Sequence, residues 1–98
     1  MFTRIVKMVF EPRNVPTFLN NFDLVKSRIR AFEGCEFLEL YQDKNQSHRF
    51  FTYSRWKTEA HLENYRQSPL FKEVWSKTKP LFKEKPEAWS VDTLVQLP

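Results

Sequence analysis

The sequence predicts an α+β protein with the element order β-α-β-β-α-β, a ferredoxin-like sandwich with helices on one face of a sheet. Three observations support this fold class: four segments with strand patterns, two helical regions between them, and a length of 98 residues. That length suits a single domain over residues 1–98. Aromatic residues make up 16% of the chain, and because they bury much surface they argue against disorder.

The first strand and the first helix have clear sequence patterns. Residues Phe2–Phe10 alternate and are rich in β-forming residues, which predicts strand one. Pro16 then fits the first turn of a helix, where its missing N–H group costs no hydrogen bond. The helix itself is predicted from one apolar stripe at helical spacing. This stripe consists of Phe18, Phe22, Val25, Ile29 and Phe32. Gly34 follows where a helix end favours a positive φ angle.

Strands two and three are predicted over Cys35–Tyr41 and Arg49–Trp56, joined by the polar loop Asp43–Ser47. Both strands are apolar on both sides, since the neighbours Phe50 and Phe51 must point to opposite faces of the sheet. Helices on one face would leave the aromatic residues of the other face in water, and such a patch usually marks an interface. We therefore expect a homodimer through the sheet faces, formed about a two-fold axis.

The second helical region is predicted in two parts, followed by the last strand. Thr58 and Ser68 are residue types that cap helix N-termini, and Pro69 follows Ser68 at the first helical position. Pro80 ends the region. The fourth strand is predicted over Ala88–Leu97, where apolar and polar residues alternate.

The succession of motifs from strand three onward resembles the antibiotic biosynthesis monooxygenase family of the dimeric α+β barrel superfamily. In that family a strand ends in Trp, a short helix begins with an acidic residue, and Ser-x-x-Phe opens a further helix. Trp56, Glu59, Ser68 and Phe71 occupy these positions. Arg30–Cys35 also resembles the family's glycine-containing turn after the first helix. The resemblance covers nearly the whole chain and implies a dimeric α+β barrel.

The family includes cofactor-independent oxygenases of aromatic polyketides, haem-degrading monooxygenases and many proteins with no assigned activity. The haem-degrading branch has a His seven residues after the helix-starting Ser and an Asn in strand one. Here Trp75 occupies the His position and strand one contains no Asn. Neither His48 nor His61 replaces that ligand, and neither has a partner at metal-ligand spacing. Gly34 is the one glycine, which excludes a glycine-rich phosphate loop. We expect no cofactor and no metal.

A cofactor-independent oxygenase needs a pocket that binds an aromatic substrate, helps to deprotonate it and shields the carbanion from water. The resemblance predicts such a pocket between the second helical region and the sheet. Trp56, Phe71 and Trp75 are its predicted substrate-binding walls, and Tyr65 is the catalytic candidate, as a hydrogen-bond donor or proton shuttle. Arg66 would bind the substrate anion. The alternative interpretation is an ordinary packed core, with Arg66 in a surface salt bridge.

Two other function classes remain open at this point. A non-catalytic dimer that binds a small molecule, or a stress-related protein, would have the same pocket without turnover. An RNA-recognition module shares the element order, but Arg49–Tyr53 lacks the glycines of its third-strand signature. The net charge of +4 is interpreted as solvated helix faces, so we expect no nucleic-acid partner.

The compartment is predicted from the N-terminus, the hydropathy and the cysteine count. The first residues lack a signal-peptide pattern, and no window approaches the ~18 apolar residues of a membrane span. A lone Cys35 cannot form an intramolecular disulfide and fits a reducing compartment. We therefore expect a cytoplasmic protein that does not bind a membrane.

Overall fold

The computed structural model describes residues 1–98 and has an α+β fold, as predicted. The strands are β1 (Phe2–Phe10), β2 (Cys35–Gln42), β3 (Arg49–Trp56) and β4 (Phe82–Val91). The α-helices are α1 (Val15–Arg30), α2 (Glu59–Arg66) and α3 (Pro69–Thr78), and short 3₁₀ turns occupy Pro12–Asn14 and Lys79–Leu81. The β-α-β-β-α-β order is confirmed, with its second helical region split into α2 and α3. None of the helices combines the length and apolarity needed to cross a bilayer.

The four strands form one antiparallel sheet in the order β2-β3-β1-β4. β1 is a central strand, with Phe2 opposite Trp56 of β3 and Val6 opposite Ala88 of β4. Side chains alternate between the faces of a strand, so the even-numbered residues of β1 and β3 share one face. The helices cover this face.

The helix boundaries of α2 and α3 follow the predicted capping residues. The Thr58 hydroxyl accepts a hydrogen bond from the backbone N–H of His61, and Ser68 does the same for Phe71. Each cap satisfies a backbone donor that the first turn of a helix leaves free. Gly34 has a φ angle of 91°, and a Cβ atom there would overlap the His61 side chain. Glycine is therefore required both by the backbone and by the close approach of α2.

The core lies between the helices and the sheet in two adjoining clusters. Trp56, which is 1% exposed, centres one cluster beside α2. Phe10 and Phe50, which are both enclosed, centre the other beside the start of α1. The remaining buried members are Phe2, Ile29, Cys35, Leu62 and Tyr65 in the first cluster, and Met8 and Phe18 in the second.

The predicted position of the fourth strand is wrong. β4 covers Phe82–Val91 rather than Ala88–Leu97, and residues 92–98 lie outside the sheet. The missed segment Lys83–Glu87 contains alternating charges and Pro86, a composition that is poor in β-forming residues. Pairing with β1 nevertheless makes it a strand, and because β4 is an edge strand it tolerates both charge and proline.

The second face of the sheet, which we call the open face, carries no helix. It is formed by the odd-numbered residues of β1 and β3 and their neighbours in β2 and β4. Its large apolar residues are partly exposed, for example Tyr41 at 43% and Trp89 at 45%. The rings of Phe37 and Tyr53 pack edge to face at 5.8 Å between centroids. The prediction that β2 and β3 are apolar on both faces is confirmed.

Candidate small-molecule binding site

A cavity of about 380 Å³, the helix–sheet cavity, lies between the covered face of the sheet and the three helices. Of the 25 residues that line it, 14 are hydrophobic. Sites for small ligands typically have volumes of about 300–1,000 Å³ and mainly apolar walls with a few polar groups. The space between helices and sheet is therefore large enough for a compact aromatic molecule.

The cavity arises from the size of the side chains in β3. The covered face of this strand presents Phe50, Thr52, Ser54 and Trp56 in succession. The two aromatic residues fill the ends of the row, whereas Thr52 and Ser54 are too short to reach the helices. Ala88 of β4 is similarly small and lines the same space. The floor of the cavity thus includes three small side chains, with Val6 of β1 between Thr52 and Ala88.

All five predicted site residues line the helix–sheet cavity: Trp56, Tyr65, Arg66, Phe71 and Trp75. Trp56 and Tyr65 stack with centroids 5.2 Å apart, and Phe71 packs edge to face on Tyr65 at 5.2 Å. Phe71 then contacts Trp75 at 5.7 Å. These contacts form one continuous aromatic wall from the end of β3 through α2 into α3. The roles of the five residues in binding and catalysis stay predictions.

Tyr65 presents its phenol in a buried setting, with 8% of the residue exposed. Its hydroxyl has no hydrogen-bond partner in the chain. This oxygen is not completely shielded from solvent. Burial raises the pKa of Tyr65 well above its ordinary value, and the nearby Cys35 adds to the effect. A phenol with a raised pKa stays protonated at neutral pH, so it can donate a hydrogen bond but is poorly suited to accept a proton.

Arg66 lies at the mouth of the cavity, on the surface side of α2. Its side chain is 48% exposed and its guanidinium forms an ion pair with Glu63 at 3.4 Å. Arg66 therefore forms the salt bridge of the alternative interpretation and also lines the cavity, while its role in binding a substrate anion stays a prediction. An exposed ion pair of this length contributes little to stability, so Glu63 does not hold Arg66 firmly.

Sequence reasoning missed Arg4, which lines the cavity from β1. Its Nη1 donates to Ser90 Oγ at 3.0 Å, and no carboxylate pairs with it. Burial and the neighbouring Arg66 guanidinium lower the pKa of Arg4. The signal was present in the sequence, because Arg4 occupies an even position between Phe2 and Val6, on the face that carries the core. A charged residue is unusual on the buried face of a central strand.

The histidines and the cysteine lie outside this arrangement. Neither His48 nor His61 lines the cavity, and His61 Nδ1 instead contacts the Thr58 hydroxyl at 2.7 Å. Burial raises the pKa of the Cys35 thiol, so it is not an activated nucleophile. No three His, Cys, Asp or Glu side chains come together in a group that could hold a metal ion.

Comparison with known proteins gives the same fold. The sequence model of the antibiotic biosynthesis monooxygenase family matches residues 1–76. The chain is similar to a solved antibiotic biosynthesis monooxygenase, with a TM-score of 0.90 at 15% identity over 97% of this chain and all of that one. The Mycobacterium tuberculosis protein Rv0793 gives 0.88 at 16% identity, covering 99% and 98% of the two chains. A conserved protein of Methanosarcina mazei gives 0.87 at 22% identity, covering 94% and 92%. No functionally curated protein matches the chain.

Proposed function

Because the chain belongs to the antibiotic biosynthesis monooxygenase family, we propose that it is a cofactor-independent monooxygenase of a small phenolic or quinol-type substrate. Family membership supports the general monooxygenase-type activity, and the helix–sheet cavity supports the class of substrate. The observation that carries the proposal is this cavity of about 380 Å³, with its aromatic wall and the unpartnered hydroxyl of Tyr65.

The proposed reaction balances without a cofactor. A phenol with a free para C–H group reacts with O₂ to give a para-quinone and water. One oxygen atom enters the ring, and the other leaves as water with the hydroxyl proton and the ring proton. The substrate supplies all the electrons. Ionisation of the phenol gives the para carbon its carbanion character, so a site that stabilises the phenolate accelerates the reaction.

The residues of the cavity have separate roles in this proposal. Trp56, Phe71 and Trp75 hold the ring and keep water away from it, which strengthens every electrostatic contact inside. Tyr65 donates a hydrogen bond to the substrate oxygen, a role that suits a phenol kept protonated by its raised pKa. Arg66 stabilises the phenolate from the mouth of the cavity. Help of this kind contributes about 10²–10⁴ in rate.

We further propose that two copies of the chain pack together through their open faces. The partly exposed aromatic residues of that face support this arrangement, because water is a poor environment for a patch of such size. The tail after β4 adds Leu94, Val95 and Leu97, which are 91%, 77% and 83% exposed. A second copy would cover both. The single free cysteine, Cys35, supports a reducing compartment such as the cytoplasm.

One observation favours a second candidate, a binding protein without turnover. Neither Tyr65 nor the two carboxylates of the cavity lining is a free general base, and Glu87 pairs with Lys7 at 3.5 Å. Tyr65 stays protonated, and the carboxylate of Glu73, which also lines the cavity, pairs with Arg28 at 2.9 Å. That ion pair lowers the pKa of Glu73 and makes it a weaker base.

Oxygen consumption separates the two candidates. Metal-stripped protein is tested with a panel of monohydroxy- and dihydroxynaphthalenes that have a free para C–H group, and we expect one quinone per O₂ consumed without release of hydrogen peroxide. Tyr65→Phe should reduce the rate by about tenfold or more, whereas Tyr41→Phe, on the open face, serves as the matched control. No turnover above a boiled sample across the panel supports the binding protein. Turnover that survives both Tyr65→Phe and Trp75→Ala places the chemistry outside the cavity.

A further inference from the structure

Arg4 and Arg66 both line the helix–sheet cavity, and no carboxylate pairs with Arg4. Arg4 has Ser90 Oγ as its one polar partner, at 3.0 Å, and lies close enough to Arg66 for the two charges to repel. Arg66 has only its solvent-exposed pair with Glu63. Partly buried like charges that lie near each other raise the free energy of the empty site, and an anion bound between them would lower it.

The remaining charges of the cavity also leave an excess of cations. Two carboxylates line it, but each pairs with a cation that is not part of the lining: Glu73 with Arg28 at 2.9 Å, and Glu87 with Lys7 at 3.5 Å. Two further cations of the lining have no salt bridge: Lys77 and Lys79. The field in the cavity therefore favours an anion and disfavours a cation.

We propose that the cavity binds an aromatic acid, with the carboxylate held by Arg4 and Arg66 and the ring held against the aromatic wall. The planar guanidinium matches a carboxylate through two parallel hydrogen bonds, which makes arginine suited to this role. The apolar lining, 14 of 25 residues, requires a hydrophobic body and so favours an aromatic acid over an inorganic anion. This inference rests on the proposed function for the place of the ligand, but it does not depend on turnover.

Binding of a matched pair of probes tests the proposal. The acid is 1-hydroxy-2-naphthoate, and the neutral control is 1-hydroxy-2-naphthamide, which has the same ring and nearly the same size. Titration is followed by isothermal calorimetry and by quenching of tryptophan fluorescence, since Trp56 and Trp75 line the cavity. We expect the acid to bind about ten- to hundredfold more tightly than the amide, the range for hydrogen bonds to charged groups.

Variants of the two arginines show whether they cause the preference. Arg4→Gln and Arg66→Gln should each weaken binding of the acid by about tenfold or more and leave binding of the amide unchanged. Arg13→Gln is the matched control, since Arg13 is exposed and does not line the cavity. Thermal unfolding verifies that each variant folds. If Arg4→Gln does not fold, Arg4→Met replaces it. The affinities for acid and amide are then compared in Arg4→Met and in Arg66→Gln, whose side chain lies at the surface.

Three results would overturn the proposal. These are equal affinity of the wild-type protein for acid and amide, an acid affinity unchanged in both arginine variants, and no saturable binding of the acid at millimolar concentration. Failure of the proposed oxidation looks different, because a protein that consumes no oxygen can still bind the acid in preference to the amide.

Discussion

The indole Nε1 of Trp56 donates a hydrogen bond to Ser54 Oγ at 3.0 Å, with both residues buried on the covered face of β3. Ser54 is therefore more than a small residue that leaves room for the cavity. It also orients one of the two indole rings of the cavity wall. Ser54 thus affects both the volume of the cavity and the orientation of the Trp56 ring in its wall.

Ser54→Ala should destabilise the protein by about 1–3 kcal/mol, because it leaves the buried indole N–H without a partner. Urea unfolding measures this difference in the free energy of unfolding. Thr52→Ser is a suitable control, since it alters the adjacent cavity residue and keeps the bond between Ser54 and Trp56. A loss below about 0.5 kcal/mol for Ser54→Ala would mean that the hydrogen bond contributes little.

Thr52→Leu should fill the cavity rather than strain the core. We expect the free energy of unfolding to fall by less than about 1 kcal/mol, whereas added methylene groups in a packed core usually cost about 1–3 kcal/mol. Ligand binding should be lost at the same time.

The matched control for this variant is Cys35→Leu, at a core residue that is 4% exposed and does not line the cavity. Overpacking there should cost about 1–3 kcal/mol. If Thr52→Leu is as destabilising as Cys35→Leu, the space above Thr52 is filled in solution.

The sequence predicts the aromatic wall because its members follow simple local rules. Trp56 ends a strand, and Tyr65, Phe71 and Trp75 fall on the apolar faces of two capped helices. Local spacing determines such positions, so the residues that line the cavity could be named from the sequence. Trp56 and Tyr65 are buried, as expected for large side chains that favour the interior, whereas Phe71 and Trp75 are half-buried.

Other features depend on contacts between distant parts of the chain. The cavity is lined by the small residues Thr52 and Ser54 of β3 and Ala88 of β4, which the sheet order places on either side of β1, an arrangement that no local pattern reveals. For the same reason the sequence pattern places β4 too late in the chain: the charged segment Lys83–Glu87 becomes a strand only through its pairing with β1. The strand pattern is defined by apolar residues alone, so it does not single out Arg4.

The raised pKa of Tyr65 predicts a loss of stability at alkaline pH. Tyr65 loses its proton near the ordinary pKa of 10.0 when unfolded, but at higher pH when folded. Above pH 10 the unfolded state therefore binds fewer protons, and the free energy of unfolding decreases as pH rises. This one group contributes a slope of up to about 1.4 kcal/mol per pH unit.

Urea unfolding of wild type and Tyr65→Phe between pH 9 and pH 11.5 measures this slope. The variant should be less sensitive to alkaline pH above 10, because phenylalanine does not titrate. Tyr41 has its pKa raised to about 12, mainly by its hydrogen bond to Glu39. Tyr41→Phe therefore provides the comparison with a tyrosine outside the cavity. Identical slopes for wild type and Tyr65→Phe would contradict the buried setting of the phenol.

The two adjacent phenylalanines of β3 should respond differently to a buried charge. Phe51 lies on the open face, so Phe51→Asp should dissociate a dimer and leave a folded monomer. Phe50 is 1% exposed beneath the helices, so Phe50→Asp should prevent folding. An unpaired charge in either apolar environment costs several kcal/mol. Sedimentation velocity and circular dichroism together measure the outcomes. A wild-type monomer at micromolar concentration would contradict the proposed dimer.

The central claim is that a small aromatic molecule binds between the sheet and the helices. A crystal structure of the protein with 1-hydroxy-2-naphthoate tests it most directly. We predict the naphthalene ring beside Tyr65 and Trp75, above Thr52 and Ser54, with its hydroxyl within hydrogen-bond distance of the Tyr65 phenol. A cavity filled by protein side chains, or a ligand bound only outside it, would contradict the claim.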